Sequence, residues 1–383
     1  MAPGLLNDDL PDRSATETNG KIAYPQPLRL SGALEKYKFE DLTPVAGREY
    51  LNVNIVDELL QDNAALRDLA ITISQRSVVF FRAQDNLTDD RQKEFVHKLG
   101  LLSGKPKDST LHIHPVLNNT SEFGVADAEI STISSEARKK FFGGEQGSRQ
   151  PRRYDAATWH ADIQFERKPA DYTSLKLTKL PSNGGDTLFA SGVEIFDRFS
   201  KPYQRFLEGL TATFIGDGFH KAAAANPHTV HIHEGPRGAP ENIDQTLSAV
   251  HPVIRTNPVT GWKSVFALGT FPKYINELHA EESDELLAKL RRTVLDSHDL
   301  TVRFKWKNEN DIGKWLLYRR LWNDTDALFA VWDNRSAFHS ATFDYSELGE
   351  RFGHRAVGIG EKPYYDPNSK SRSESLADGY QLA

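Results

Sequence analysis

The sequence predicts a mainly β fold with flanking helices, a sandwich or barrel of jelly-roll type. Three observations carry that expectation. Short β-branched and aromatic runs recur through most of the chain. Only four stretches have strong helical spacing or caps, too few for a doubly wound parallel sheet. A hydrophobic share of 38% over 383 residues is enough for a real core.

In chain order, residues 1–24 are polar and acidic and are expected to form a disordered lead-in, lacking the apolar centre of a signal peptide. One domain is expected over 25–369. Asp62–Gln75 sets Ala65, Leu66, Leu69, Ala70 and Ile73 at helical spacing and runs into Ser77–Phe81, a buried strand. A second helix has Thr88 as N-cap, Phe95, Val96 and Leu99 as its apolar face, and Gly100 as a left-handed stop. Ser191 and Glu194 have capping-box spacing and open a helix through Ile195, Phe196 and Phe199. Glu281–Leu295 aligns Leu286, Leu287, Leu290 and Val294 on one stripe.

Strands are expected at Thr173–Leu180, Thr187–Ala190, Thr211–Ile215, Val253–Thr256, Lys263–Ala267, Leu300–Lys305, Ala327–Trp332 and Arg355–Ile359. Thr256–Gly261 reads as a hairpin loop. Val116–Tyr154, Ala222–Leu247 and Lys307–Asp326 read as loops or insertions, the first with the glycines of a lid. Residues 370–383 form a tail.

Composition narrows the function. A net charge of −6 disfavours a nucleic-acid partner. No apolar run approaches the roughly 18 residues that span a bilayer, so no membrane partner and a cytoplasmic location are expected. Cysteine is absent, which excludes disulfides, thiolate zinc sites, iron–sulfur clusters and a cysteine nucleophile. The single methionine is the initiator. Such sulfur poverty fits avoidance of oxidisable side chains in a protein that handles oxygen. It also fits synthesis under sulfur scarcity.

Metal chemistry must therefore rest on His, Asp and Glu. His160-Ala-Asp162 would place imidazole and carboxylate on one side of a strand. The other such step, His279-Ala-Glu281, reads as an acidic helix start. His339, after a strand and the turn-prone Asp333-Asn334-Arg335, is the best third ligand. His228, His231 and His233 offer a rival cupin-like or zinc cluster, but in a Pro/Gly-rich stretch that favours a solvated loop. His112 and His114 precede Pro115 and line a pocket or end a strand. Thr187 follows a Gly-rich turn. Arg351 and Arg355, four apart, would face one cavity from a strand and suit carboxylate or sulfonate capture.

Together these pieces resemble the taurine/2-oxoglutarate dioxygenase family of non-haem iron enzymes. The matching stretches are Trp159–Asp162, Lys179–Thr187, His251–Gly261, Trp332–His339, Arg351–Ala356 and Gly360–Pro363, in the family's order, with Leu111–Pro115 also matching. The likeness spans roughly Asp62 to Tyr365. It implies a double-stranded β-helix (jelly roll) core and an enzyme with Fe(II), 2-oxoglutarate and O2 as cofactor and co-substrates. It implies His160, Asp162 and His339 as iron ligands, and Arg351 with Thr187 at the far carboxylate of 2-oxoglutarate. The products would be succinate, CO2 and an oxidised substrate.

The same resemblance puts His114, Phe271 and Arg355 at a small anionic organic substrate, most readily an alkyl sulfonate such as taurine. Sulfur poverty tilts the reading the same way. There are departures: at the amine end Ala156 stands where the bacterial-type enzyme has asparagine, His339 to Arg351 is one residue longer, and the insertions Val116–Tyr154 and Lys307–Asp326 are longer and would reshape the mouth. An amino acid or other carboxylate stays open as substrate, with hydroxylation, desaturation or cyclisation as outcome. More distant alternatives are a zinc hydrolase with the same ligands and a non-redox cupin-type metal-binding protein. The family's dimers and tetramers make a homo-oligomer an expectation.

Overall fold

The computed structural model describes residues 14–18, 21–118, 125–142, 158–306, 327–345 and 348–383. Its strands are β1 (Thr16–Thr18), β2 (Lys21–Ala23), β3 (Phe39–Asp41), β4 (Arg48–Tyr50), β5 (Val78–Phe81), β6 (Ile130–Ser134), β7 (Ala170–Lys179), β8 (Thr187–Ser191), β9 (Thr211–Ile215), β10 (Ser248–Pro252), β11 (Ile254–Thr256), β12 (Lys263–Val265), β13 (Pro272–Ile275), β14 (Thr301–Phe304), β15 (Leu328–Asp333), β16 (Ala337–Ala341) and β17 (Phe352–Ile359). Its α-helices are α1 (Asn63–Arg76), α2 (Asp89–Ser103), α3 (Ser135–Phe142), α4 (Gly192–Asp197), α5 (Lys201–Glu208), α6 (Asp217–Ala225), α7 (Ala280–Asp296) and α8 (Arg372–Ala377).

Strand alternation builds the core. Seven strands form a mixed sheet in the order β3-β4-β5-β15-β7-β17-β6, in which β4 and β5 are parallel and the other neighbours antiparallel. Val79, Phe81, Tyr172, Phe329 and Val331 pack with Leu66, Leu69, Phe95 and Leu99 of α1 and α2. Their strand neighbours Val78, Phe80, Leu175, Leu328, Ala330 and Trp332 pack instead with Phe189, Val302 and Phe304 of a second sheet, β14-β8-β16. Period-two alternation therefore splits one sheet between a helical layer and a facing sheet. Phe80 stacks on Phe304 with ring centroids 3.8 Å apart. Burying each such side chain contributes about 1.5–3 kcal/mol. The smaller sheets β10-β9-β13 and β11-β12 form another core with α4 and α7.

Local signals in the chain explain several helix ends. Asp62 caps α1 by accepting from the amides of Ala64 and Ala65, and Thr88 Oγ1 accepts from Arg91 N–H at α2. The expected stop at Gly100 is corrected. α2 continues to Ser103, and Gly104 supplies the left-handed residue at φ 87°. Gly100 instead lies where a side chain would strike Asp171 and Lys105. His279 and Glu282 form a capping box at α7, so the second H-x-E step is a helix start, as expected.

The stretch 116–154, read as a loop, contains β6 and α3; its residues 119–124 and 143–154 lie outside the described ones, as do 1–13 and 307–326. In the lead-in, β1 and β2 pair as a hairpin. In the tail, α8 is followed by Ala383, whose amide donates to Gln75.

Candidate active site

The two histidines are brought together by the backbone. His160 N–H donates to His339 O at 3.1 Å, and His339 N–H donates to His160 O at 2.8 Å. This bridge adds His160 beside β16, and the two rings lie 4.2 Å apart between centroids. The approach needs Gly269. At φ 109°, a β-carbon there would lie 2.2 Å from the Trp159 carbonyl oxygen.

The expected strand alternation does not place Asp162. After the bridge the chain turns, with Ile163 at φ 50°. Asp162 N–H donates to Asn334 Oδ1 at 2.9 Å. Asn334 also accepts from Trp332 Nε1 and donates to Thr173 Oγ1 at 2.8 Å. Sequence reasoning treated Asn334 as a turn residue only. Its position just after the aromatic-rich strand expected to end at Trp332 was the available signal, but its partners are 161 and 172 residues away.

Nitrogen and oxygen atoms of His160, Asp162 and His339 all lie within 4.8 Å of one another. They form the one such metal-capable group among the described residues; His228, His231 and His233 do not form one. Two features fit an ion. Asp162 Oδ2 and His339 Nδ1 are buried without hydrogen-bond partners. His160 Nδ1–H donates to the Thr158 carbonyl at 2.8 Å, which leaves Nε2 with its lone pair. Two imidazoles and one carboxylate suit a borderline divalent ion with open positions.

Electrostatics favour the ligand forms. Burial alone would raise Asp162; Arg355, then His339 and His160, outweigh it and hold the carboxyl at about 2. Burial, reinforced by His160, pushes His339 down to about 3. Both groups are thus in their metal-binding state at neutral pH. His251 is likewise pushed to about 3 by burial.

For these histidines the unfolded chain takes up protons near pH 6.5 while the folded chain does not until about 3, so the unfolded state binds more protons in between. Their contribution to stability is complete above about pH 6.5 and is lost as pH falls toward 3. The urea midpoint of the metal-free protein is expected to drop steadily from pH 7 to pH 4. A flat profile over that range would contradict the assignment.

A cavity of about 330 Å³ opens beside the triad. Its walls include His160, His339, Thr187, Phe271, Arg351 and Arg355, with Leu175 and Trp332 from the large sheet. Arg351 is buried, donating through Nε to Gly185 O at 2.9 Å and through Nη2 to Thr187 Oγ1 at 3.1 Å. Thr187 Oγ1 also accepts from Trp306 Nε1 at 3.0 Å. Burial lowers Arg351 to about 10, so it stays charged at pH 7. Arg355 donates to Asp162 Oδ1 at 2.6 Å. His114 is buried, and its Nδ1 accepts from the amides of Val116 and Leu117. It is not among the wall residues. Ala156 lies outside the described residues.

A mainly β chain with a His-Asp-His group beside arginines in a partly open cavity has the arrangement of a metal enzyme with open coordination positions. Residues 38–315 match the family model for taurine catabolism dioxygenase TauD, TfdA family, and the chain belongs to that family. It is 43% identical to the alpha-ketoglutarate-dependent dioxygenase oryG of Aspergillus oryzae, over 93% of this chain and 98% of that protein. It is 29% identical to an alpha-ketoglutarate-dependent sulfonate dioxygenase of Saccharomyces cerevisiae, over 94% of this chain and 79% of that one. The crystal structure of a taurine dioxygenase from Burkholderia xenovorans superposes with a TM-score of 0.60 at 22% identity, covering 87% of this chain and 94% of the other. The chain is accordingly a 2-oxoglutarate-dependent oxidoreductase that uses Fe(II), 2-oxoglutarate and O2. Among the described residues no helix is long and apolar enough to cross a membrane.

Proposed function

We propose that this dioxygenase oxidises a C–H bond of a small anionic organic substrate, with alkyl sulfonates as the leading class. On this reading the two facing sheets are the halves of a jelly roll, and His160, Asp162 and His339 hold the iron. The observation that carries it is the convergence of three donors, drawn from positions 160 to 339, within 4.8 Å, with both histidines in the wall of an arginine-lined cavity.

When bound, ferrous iron supplies oxygen activation coupled to oxidative decarboxylation of 2-oxoglutarate. The chain's residues do the rest. Thr158 fixes the His160 tautomer, and Asn334 anchors Asp162. Arg351 and Thr187 present a guanidinium and a hydroxyl to the far carboxylate of the keto acid. Leu175, Trp332 and Phe271 keep the reacting space apolar and exclude water. Arg355 and Phe271, which line the cavity, face the substrate.

A carboxylate substrate is the second reading, because the relative at 43% identity is named a dioxygenase without mention of sulfonate, whereas the sulfonate dioxygenase stands at 29%. The test begins with anaerobic Fe(II) and 2-oxoglutarate, followed through the metal-to-ligand charge-transfer band. Arg351→Gln is expected to weaken 2-oxoglutarate binding about 10- to 100-fold while iron is retained. Unchanged affinity would overturn the role of Arg351. A panel of sulfonates, sulfate esters and amino acids, scored by coupled succinate release, then separates the two readings.

A further inference from the structure

The cavity holds a third guanidinium. Arg138 lies on α3, within the stretch that sequence reading treated as a loop. Its Cζ sits 3.2 Å from the centroid of the Phe343 ring, and both side chains line the same cavity as His160, Arg351 and Arg355. Arg138 is exposed, so it stands on the solvent side of a space whose other two arginines are buried or nearly so. Among the described residues, no carboxylate lies within salt-bridge reach of Arg138.

The other two arginines are already engaged. Arg351 is spent on Gly185 and Thr187 beside the keto-acid position, and Arg355 is paired with Asp162. Ferrous iron and dianionic 2-oxoglutarate cancel in charge. Three guanidiniums against the one carboxylate of Asp162 then leave the loaded cavity positive. A cavity with surplus positive charge draws an anion, and a guanidinium without a carboxylate partner among the described residues is where that anion gains most.

We propose that Arg138 is a specificity-determining residue that receives the oxyanion head group of the substrate at the cavity entrance. Phe343 holds the guanidinium plane through a cation–π contact and offers an apolar face beside it. The substrate's anionic end then lies toward solvent, and its oxidised carbon reaches inward to the triad. This rests on the dioxygenase reading above and deepens it.

The test is anaerobic calorimetry on protein loaded with Fe(II) and 2-oxoglutarate, titrated with hexane-1-sulfonate, hexyl sulfate, hexanoate and neutral hexan-1-ol. Wild type is expected to bind at least one of the anions more tightly than the alcohol. Arg138→Gln should weaken that anion about 10- to 100-fold and leave 2-oxoglutarate affinity within about 3-fold, and Arg138→Lys should recover part of the loss. Which anion responds distinguishes sulfonate, sulfate ester and carboxylate. Equal anion binding by Arg138→Gln overturns the proposal. So does a parallel loss of 2-oxoglutarate, which would place Arg138 at the keto acid instead. So does wild type that takes up 2-oxoglutarate but prefers no anion to the alcohol. Wild type that takes up no 2-oxoglutarate at all overturns both the dioxygenase reading and the proposal built on it.

Discussion

Replacing His339 with alanine is expected to strip the protein of iron and to lower 2-oxoglutarate-dependent oxygen uptake about 1000-fold or more. Loss of a group that merely supports a ligand costs about 10–100-fold in metal affinity or activity, and loss of a ligand removes more. The fold should survive the change. His339 is joined to His160 through backbone amides and carbonyls, which alanine keeps. The removed ring leaves Trp332, Phe189 and His160 around it, so some core packing is lost as well. Metal content after gel filtration, read beside the circular dichroism spectrum, separates the two effects. A folded variant that keeps one iron per chain would remove His339 from the metal site.

The second large effect is on stability. At the end of β15, Asp333 accepts from Ser74 Oγ at 2.6 Å, from Asn257 Nδ2 at 2.9 Å and from both Nε and Nη2 of Arg335. Arg335 also lies 3.8 Å from Glu361, which pairs with Arg255. All four charged side chains are buried. Burial would raise the Asp333 carboxyl, but Arg335 and the neighbouring hydrogen bonds bring it below its ordinary value. Arg335→Ala leaves Asp333 buried without its guanidinium, and removing one partner of such a pair costs about 3–5 kcal/mol. The turn that carries Asn334 toward Asp162 is built on the same residues. Urea unfolding of the metal-free variant should therefore show a loss of that size, with iron affinity falling in parallel. A loss below about 1 kcal/mol would mean that the network does not support the turn.

The parts of this molecule legible in its sequence are those whose causes are local. Helices α1, α2 and α7 are announced by their apolar spacing, by Thr88 and by the acidic start at His279-Ala-Glu281, because capping and amphipathicity act within a turn or two. Strand β5 and the hairpin between β11 and β12 are legible for the same reason. The triad could be named from spaced motifs, but the way it assembles could not. His160 is held by a single bridge to a strand, β16, whose sequence does not read as one, and Asp162 by the side chain of Asn334. Gly100 and Gly104 differ in use only because Asp171 and Lys105 crowd the first, a contact of high sequence separation. Arg138 escaped notice because α3 is mostly polar and its cavity exists only once β6, β8, β15 and β17 are packed.

The most direct test is an anomalous difference map at the iron edge, from crystals grown anaerobically with Fe(II) and 2-oxoglutarate. One strong peak is expected, bonded by His160, Asp162 and His339, with keto-acid density running toward Arg351. A peak held instead by His228, His231 and His233, or iron-replete crystals with no peak between the two histidines of the bridge, would contradict the assignment.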